Sequence, residues 1–289
     1  MINSAKELPQ TAHAVINEWL QELLRVMLVD IDSIFITGSL SLNDFQSGKS
    51  DLDFVVICSI PVAQIGLNDL KVIHRSLAKQ FPSTQLNGVY IDHDIIQSIT
   101  PQNQQAIIYQ DGTLKYDIFI MAPVTLYELI HNAILIHGQP CVRTSIKTSK
   151  EQLFQFLFNN INGYWRSWIS GPLFINKRKL LLFLFPRITE WILLGIARQL
   201  YTLKTGEITS KSNAGRYCLL ELPEKFHAVV NRALAIRNDK RTKFLFGSYM
   251  LQPSRRRLIE TIECANFLVA LFNDHYYLIY PHAATKDRQ

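Results

Sequence analysis

GSLSLNDFQSGKSDLDFVVIC, residues 38–58, decides how the first half of this chain is read. A β-rich run, SIFIT (33–37), leads into its Gly-Ser pair, NDFQSGKS (43–50) is turn-rich, and LDFVVIC (52–58) is apolar with Asp51 and Asp53 at its entrance. Two such runs around a turn-rich connection predict two strands. Side chains alternate faces along a strand, so Asp51 and Asp53 point one way while Leu52 and Phe54 point the other. Two carboxylates on one face repel each other unless a cation lies between them. Mg²⁺ suits the pair, since it takes oxygen ligands and is commonly held by one or two carboxylates together with substrate phosphates. Gly38 lets the backbone approach closely, and the Ser39 hydroxyl with nearby N–H groups can hold phosphate oxygens, particularly if a helix begins there. Ser50 is a further candidate donor.

Around this segment helices and strands are mixed. Val15, Ile16, Trp19, Leu20, Leu23, Leu24 and Met27 recur at helical spacing and predict an amphipathic helix over 10–29. A helix is expected at 68–80, strands at VYI (89–91) and YDIFI (116–120), and a helix over VTLYELIHNAILI (124–136) after Pro123. Beyond residue 140 the strand signals fade. Helical patterns cover 153–168, 188–203, 211–220, 225–236 and a long last segment marked by Leu258, Ile262, Ala265, Val269 and Phe272. The expected fold class is therefore α+β: a mixed-sheet domain over 1–142 followed by an all-helical bundle over 143–289, divided near GQPC (138–141).

Charge divides the chain in the same way. Residues 1–142 hold 7 Lys and Arg against 14 Asp and Glu, and residues 143–289 hold 23 against 10. Opposite balances of this kind suggest an anionic ligand held between an acidic metal site and a basic wall. Cys58, Cys141, Cys218 and Cys264 show no ligand spacing and no CxxC, so neither a zinc site nor a disulfide framework is expected, and a reducing cytoplasm is the simplest setting. MINSAKELPQ has no basic region followed by an apolar core, so no secretory signal is expected. The apolar stretch 180–197 is interrupted by Pro186, Arg187, Thr189 and Glu190, which argues against a membrane span. The basic runs KRK (177–179), KRTK (240–243) and RRR (255–257) invite a nucleic-acid reading, but solvated helix faces are the favoured explanation.

The segments GSLSLNDFQSGKSDLDFVV, APVTLYELIHNAILIHGQP (122–140), ARQLYTLKTGEITSKSNAGRYCLLELP (197–223) and ALAIR (233–237) together resemble the polymerase-β-type nucleotidyltransferases. Within that group they are most similar to the aminoglycoside O-nucleotidyltransferases of the streptomycin/spectinomycin adenylyltransferase kind. The resemblance implies ATP and Mg²⁺, with AMP passed to a hydroxyl of a small acceptor in a cleft between two domains and pyrophosphate released. It implies that Asp51 and Asp53 bind the metal, that Gly38 and Ser39 form the nucleotide-gripping turn, and that Lys211 reaches the ATP phosphates. Arg198 matches a motif arginine facing the cleft. Glu190 lies within an apolar helix at i and i+8 from Arg198, which suggests a pair between them.

One position departs from the pattern. Where the family carries a general-base carboxylate, QLNGVYID presents Asn87, and an amide cannot take a proton. Asp92, Asp94 and Asp117 are the candidate replacements. The alternatives are a catalytically weakened nucleotide-binding relative and an adenylyltransferase acting on RNA, protein or another acceptor.

Overall fold

The computed structural model describes residues 8–27, 30–97, 104–170, 185–238 and 254–282. The chain divides into two compact units, Met1–Ser149 and Lys150–Gln289. Val142 and Ile146 belong to the core of the first unit.

The first unit is a six-stranded mixed sheet in the order β5-β4-β3-β2-β1-β6. Helix α1 (Gln10–Met27) leads into β1 (Ile31–Thr37), the short α2 (Gly38–Ser41) and β2 (Leu52–Cys58). Helix α3 (Leu67–Gln80) then crosses to β3 (Leu86–Asp92), the parallel neighbour of β2. After α4 (His93–Gln97), β4 (Gln104–Gln110) and β5 (Thr113–Phe119) form an antiparallel hairpin, and α5 (Pro123–His131) leads to β6 (Ile134–His137) and α6 (Val142–Ser145). Alternation along the strands builds two cores. Leu52, Phe54 and Val56 join Trp19 and Leu23 of α1 and Leu70 and Ile73 of α3 on one face. Val55, Ile57, Val89 and Ile91 join Leu126 and Leu129 of α5 on the other.

Two segments differ from the sequence expectation. The helix expected over 124–136 ends at His131, and ILIH pairs antiparallel with β1 instead. The alternating burial of Ile134 and Ile136 satisfies a half-buried strand, and pairing to β1 satisfies its backbone groups. Strand β4 has no counterpart in that expectation. Its signal is the Asp111–Gly112 turn, where both residues take positive φ (50° and 77°), as a two-residue hairpin connection requires.

The regular elements of the second unit, among the described residues, are all helical: α7 (Lys150–Asn160), a π-helical turn (Ile161–Trp165), α8 (Arg166–Ile169), α9 (Pro186–Thr205), α10 (Lys211–Glu221), a 3-10 turn (Glu224–Phe226), α11 (His227–Asn238) and α12 (Ser254–Ile279). The largely buried α9 packs against α10, α11 and α12. Gly195 is needed there, because a side chain would strike the Trp165 ring of the π turn. Among the described residues no helix is long and apolar enough to cross a membrane. All four cysteines are free, and only Cys141 is exposed. The runs 177–179 and 240–243 lie outside the described residues. Of the RRR run, Arg256 is exposed and pairs with Glu260 at 2.9 Å, and Arg257 is buried.

Candidate functional site

Strand register assembles the first charged cluster. Asp53 on β2 stands between Thr37 on β1 and Asn87 on β3. Asp51, Asp53, Val55 and Ile57 alternate onto one face, and Asn87, Val89 and Ile91 continue that face on β3. Both carboxylates and Asn87 therefore meet at one end of the sheet, on the side that α5 covers. Asn87 Nδ2 donates to Asp51 Oδ2 at 3.1 Å, while Asn87 Oδ1 accepts from the Asp111 backbone N–H at 3.1 Å. Partial desolvation raises the Asp51 carboxyl above its ordinary value, the Asn87 amide opposes that rise, and the charge of Asp111 adds to it. Such a shift marks an acid whose charge a nearby cation would stabilise.

The Gly38–Ser39 turn closes on the same pair. Gly38 has φ 68°, and a Cβ there would collide with Asp53 Oδ2. The position thus demands glycine twice, for its backbone conformation and for the room it leaves Asp53. Helix α2 begins at Gly38, in keeping with a phosphate-gripping turn, but it spans only four residues and its first N–H is already engaged. Glu128 of α5 takes it: Gly38 N donates to Glu128 Oε1 at 2.5 Å, and Ser41 Oγ lies 2.8 Å from the same oxygen. Ser39 Oγ, by contrast, is buried with no hydrogen-bond partner. Ser50 is a loop staple, its hydroxyl oxygen accepting from the Gln46 N–H at 3.0 Å.

This donor set fits Mg²⁺ with a polyphosphate. Asp51 and Asp53 offer oxygen ligands alone, the glycine cradle holds Asp53, and Ser39 has an unsatisfied hydroxyl. Among the described residues no group of three or more His, Cys, Asp and Glu side chains converges on a metal position, so a larger all-protein cage is not what this end of the sheet supplies.

The candidate replacements for Asn87 lie elsewhere. Asp92 is at the opposite end of β3, opposite Cys58, and accepts from the Val62 N–H at 2.6 Å. Five residues of strand, about 16 Å, separate it from Asn87. Asp94 follows in α4. Asp117 is exposed on β5 and bonds Lys115, which with the Ile118 N–H holds its carboxyl below the ordinary value. None of the three is brought to Asp51. Asp111, whose backbone N–H holds Asn87, and the turn's partner, Glu128, escape a reading of the sequence. The Asp-Gly dipeptide could have revealed the first, whereas nothing local marks the second.

The second unit contains a cluster of opposite character. Ser210 caps α10 by accepting from the Asn213 N–H at 3.2 Å, which starts the helix at Lys211. Lys211 Nζ donates to Glu190 Oε1 at 3.1 Å, and Arg237 NH1 lies 3.9 Å from the same oxygen. Burial lowers the Lys211 amine below its ordinary value; Glu190 opposes this, and the charges of Arg198 and Arg237 add to it. Glu190 thus has Lys211 as its hydrogen-bonded partner, although the sequence suggested Arg198. Arg237 thus lies near the Glu190 carboxylate, and Arg198 is close enough to act on the charge of Lys211.

Residues 186–247 match the family model described as the aminoglycoside adenylyltransferase, C-terminal domain. The fold is similar to that of the spectinomycin adenyltransferase AAD(9) from Enterococcus faecialis, solved with ATP and spectinomycin. The TM-score is 0.62 at 14% identity, covering 90% of this chain and 99% of that one. No curated protein matches the chain in sequence.

Proposed function

We propose that this chain, a member of the aminoglycoside adenylyltransferase-like branch of the polymerase-β nucleotidyltransferase superfamily by its fold and its residues 186–247, transfers AMP from ATP to a hydroxyl of a small acceptor. The observation that carries the reading is the register that puts Asp51 and Asp53 on one face beside Asn87, closed by a glycine that leaves no room for a side chain. Asp51 and Asp53 would hold Mg²⁺, which when bound neutralises phosphate charge and acts as a Lewis acid on the phosphoryl oxygens. Ser39 would donate to a phosphate oxygen, and Glu128 would fix the turn that carries it. The family resemblance gives Lys211 and Arg198 to the nucleotide phosphates, and the match of residues 186–247 to the family's C-terminal domain supports that reading.

Asn87 sets the rate in this proposal. Its amide holds Asp51 in place and cannot accept the acceptor's proton, which leaves to solvent. Loss of a positioned base costs roughly 10²–10⁴-fold, so transfer is slow. An aminoglycoside, and spectinomycin first, is the acceptor to try: the matched family segment and the similar fold solved with ATP and spectinomycin support it, and the acidic balance of residues 1–142 suits a cation.

The test is pyrophosphate release from labelled ATP with Mg²⁺ and a panel including spectinomycin and streptomycin. Wild type should turn over slowly, and Asn87→Glu should raise the rate by about 10²-fold or more. Release no greater than that of an Asp51→Ala/Asp53→Ala control, in both wild type and Asn87→Glu, sinks the transferase reading. Asn87 also favours a second reading, a nucleotide-binding module without efficient chemistry. Calorimetry showing ATP binding, with no turnover even in Asn87→Glu, would select it.

A further inference from the structure

On the other face of the sheet, behind Asn87, lies a cavity of about 220 Å³. Its lining includes buried His74, 1% exposed, and exposed Asp111 and Gly112 of the β4–β5 turn. Leu77, Phe81, Pro82 and Leu86 contribute apolar wall, and Ala78 is an exposed lining residue on α3. Small-molecule sites are largely apolar with a few placed polar groups, and this volume is below the roughly 300–1,000 Å³ of drug-sized ligands. It suits a fragment.

His74 is its most deeply buried polar side chain, with Thr84 also buried in the lining. The Tyr109 ring stacks on the imidazole with centroids 3.8 Å apart, and Phe54 lies at 5.9 Å. Nε2 is 2.8 Å from the Tyr90 hydroxyl, while Nδ1 has no hydrogen-bond partner. Burial lowers the imidazole to about 3, so the ring is neutral. A phenol donates better than it accepts; Tyr90 therefore donates to Nε2, and the proton resides on Nδ1. A buried N–H without an acceptor is costly, and a ligand that supplies one recovers that cost. At the exposed end Asp111 adds a carboxylate, in a half of the chain whose charge balance is already acidic.

We propose that this cavity binds a small amphipathic cation: an apolar body, a hydrogen-bond acceptor for His74 Nδ1–H, and an ammonium group for Asp111. The site is separate from the proposed reaction and does not depend on it. Its occupancy is nevertheless felt at Asp51, because Gln85, also in the lining, lies with its Nε2 3.4 Å from Asp111 Oδ1. From there Asp111 N–H reaches Asn87, and Asn87 reaches Asp51.

Tyramine, with a phenol at one end and an ammonium at the other, is the probe. Nitrogen NMR of the full chain should show saturable shifts of the His74 ring nitrogens and the Asn87 side-chain amide at millimolar tyramine. p-Cresol, which lacks the ammonium, should bind about tenfold more weakly. Ala78→Phe, on the exposed side of α3, should abolish the shifts by filling the lining. Asp111→Asn, a surface change, should weaken tyramine about tenfold and leave p-cresol unchanged. No saturable His74 shift, p-cresol binding as tightly as tyramine, or tyramine binding undiminished in Asp111→Asn overturns the proposal.

Discussion

The two charged clusters answer the same difficulty in opposite ways. At the end of the sheet, Asp51 and Asp53 are like charges that register forces onto one face, and Asn87 is a neutral neighbour. In the helical unit, Glu190 is a single carboxylate neutralised by Lys211 at 3.1 Å with Arg237 nearby. The first arrangement sets two like charges side by side, which is what the proposed cation would relieve. The second completes an ion pair internally. Removing a carboxylate from the first cluster therefore relieves a repulsion, whereas removing the carboxylate of the second leaves a largely buried cation without its hydrogen-bonded anion.

The largest expected effect comes from breaking the first cluster. If Asp53 holds the metal as proposed, Asp53→Ala should reduce pyrophosphate release by more than about 100-fold, since removing even an indirect partner of a metal ligand costs roughly 10–100-fold. It should leave the urea midpoint unchanged or raised, because a like-charge repulsion is removed. A lowered midpoint would show that Asp53 is structural.

Glu190→Gln should do the reverse. It leaves the Lys211 ammonium, with 21% of its side chain exposed, without its anion, and should lower unfolding free energy by about 1–3 kcal/mol. Urea unfolding checks this. A neutral result would mean that surrounding water already compensates Lys211, and the contrast between the clusters would weaken.

The smallest effect is a pH dependence. Lys211 has a folded-state value below its unfolded one, so within that window the unfolded chain binds more protons. Its contribution to stability therefore increases as pH rises through the window toward the ordinary lysine value, by at most about 1.4 kcal/mol per pH unit. Comparing urea unfolding of wild type and Lys211→Met between mildly and strongly alkaline pH isolates it: wild type should gain relative to the variant. Glu190→Gln should extend the window downward, since the opposing charge is gone.

Local pattern makes much of this legible. The helical period of Val15 to Met27, the alternation in LDFVVIC and the loss of strand signals after residue 140 are short-range properties, and the α+β order follows from them. Asp51 and Asp53 share a face because strand periodicity is two, whatever the partner strand. The end of α5 is illegible locally because an apolar run such as NAILI satisfies helix and strand alike; only the free edge of β1 selects the strand.

The sequence by itself determined which residues alternate, which turns demand glycine and where helices can begin, since each depends on neighbours within a few positions. Tertiary structure alone decided that Asn87 stands opposite Asp53, 34 positions away in the chain, and donates to Asp51. It also decided that Glu128 occupies the Gly38 N–H and that Lys211 is the partner of Glu190. These are contacts between distant segments, fixed by strand register and helix packing, and register is set by the whole hydrophobic pattern of the sheet.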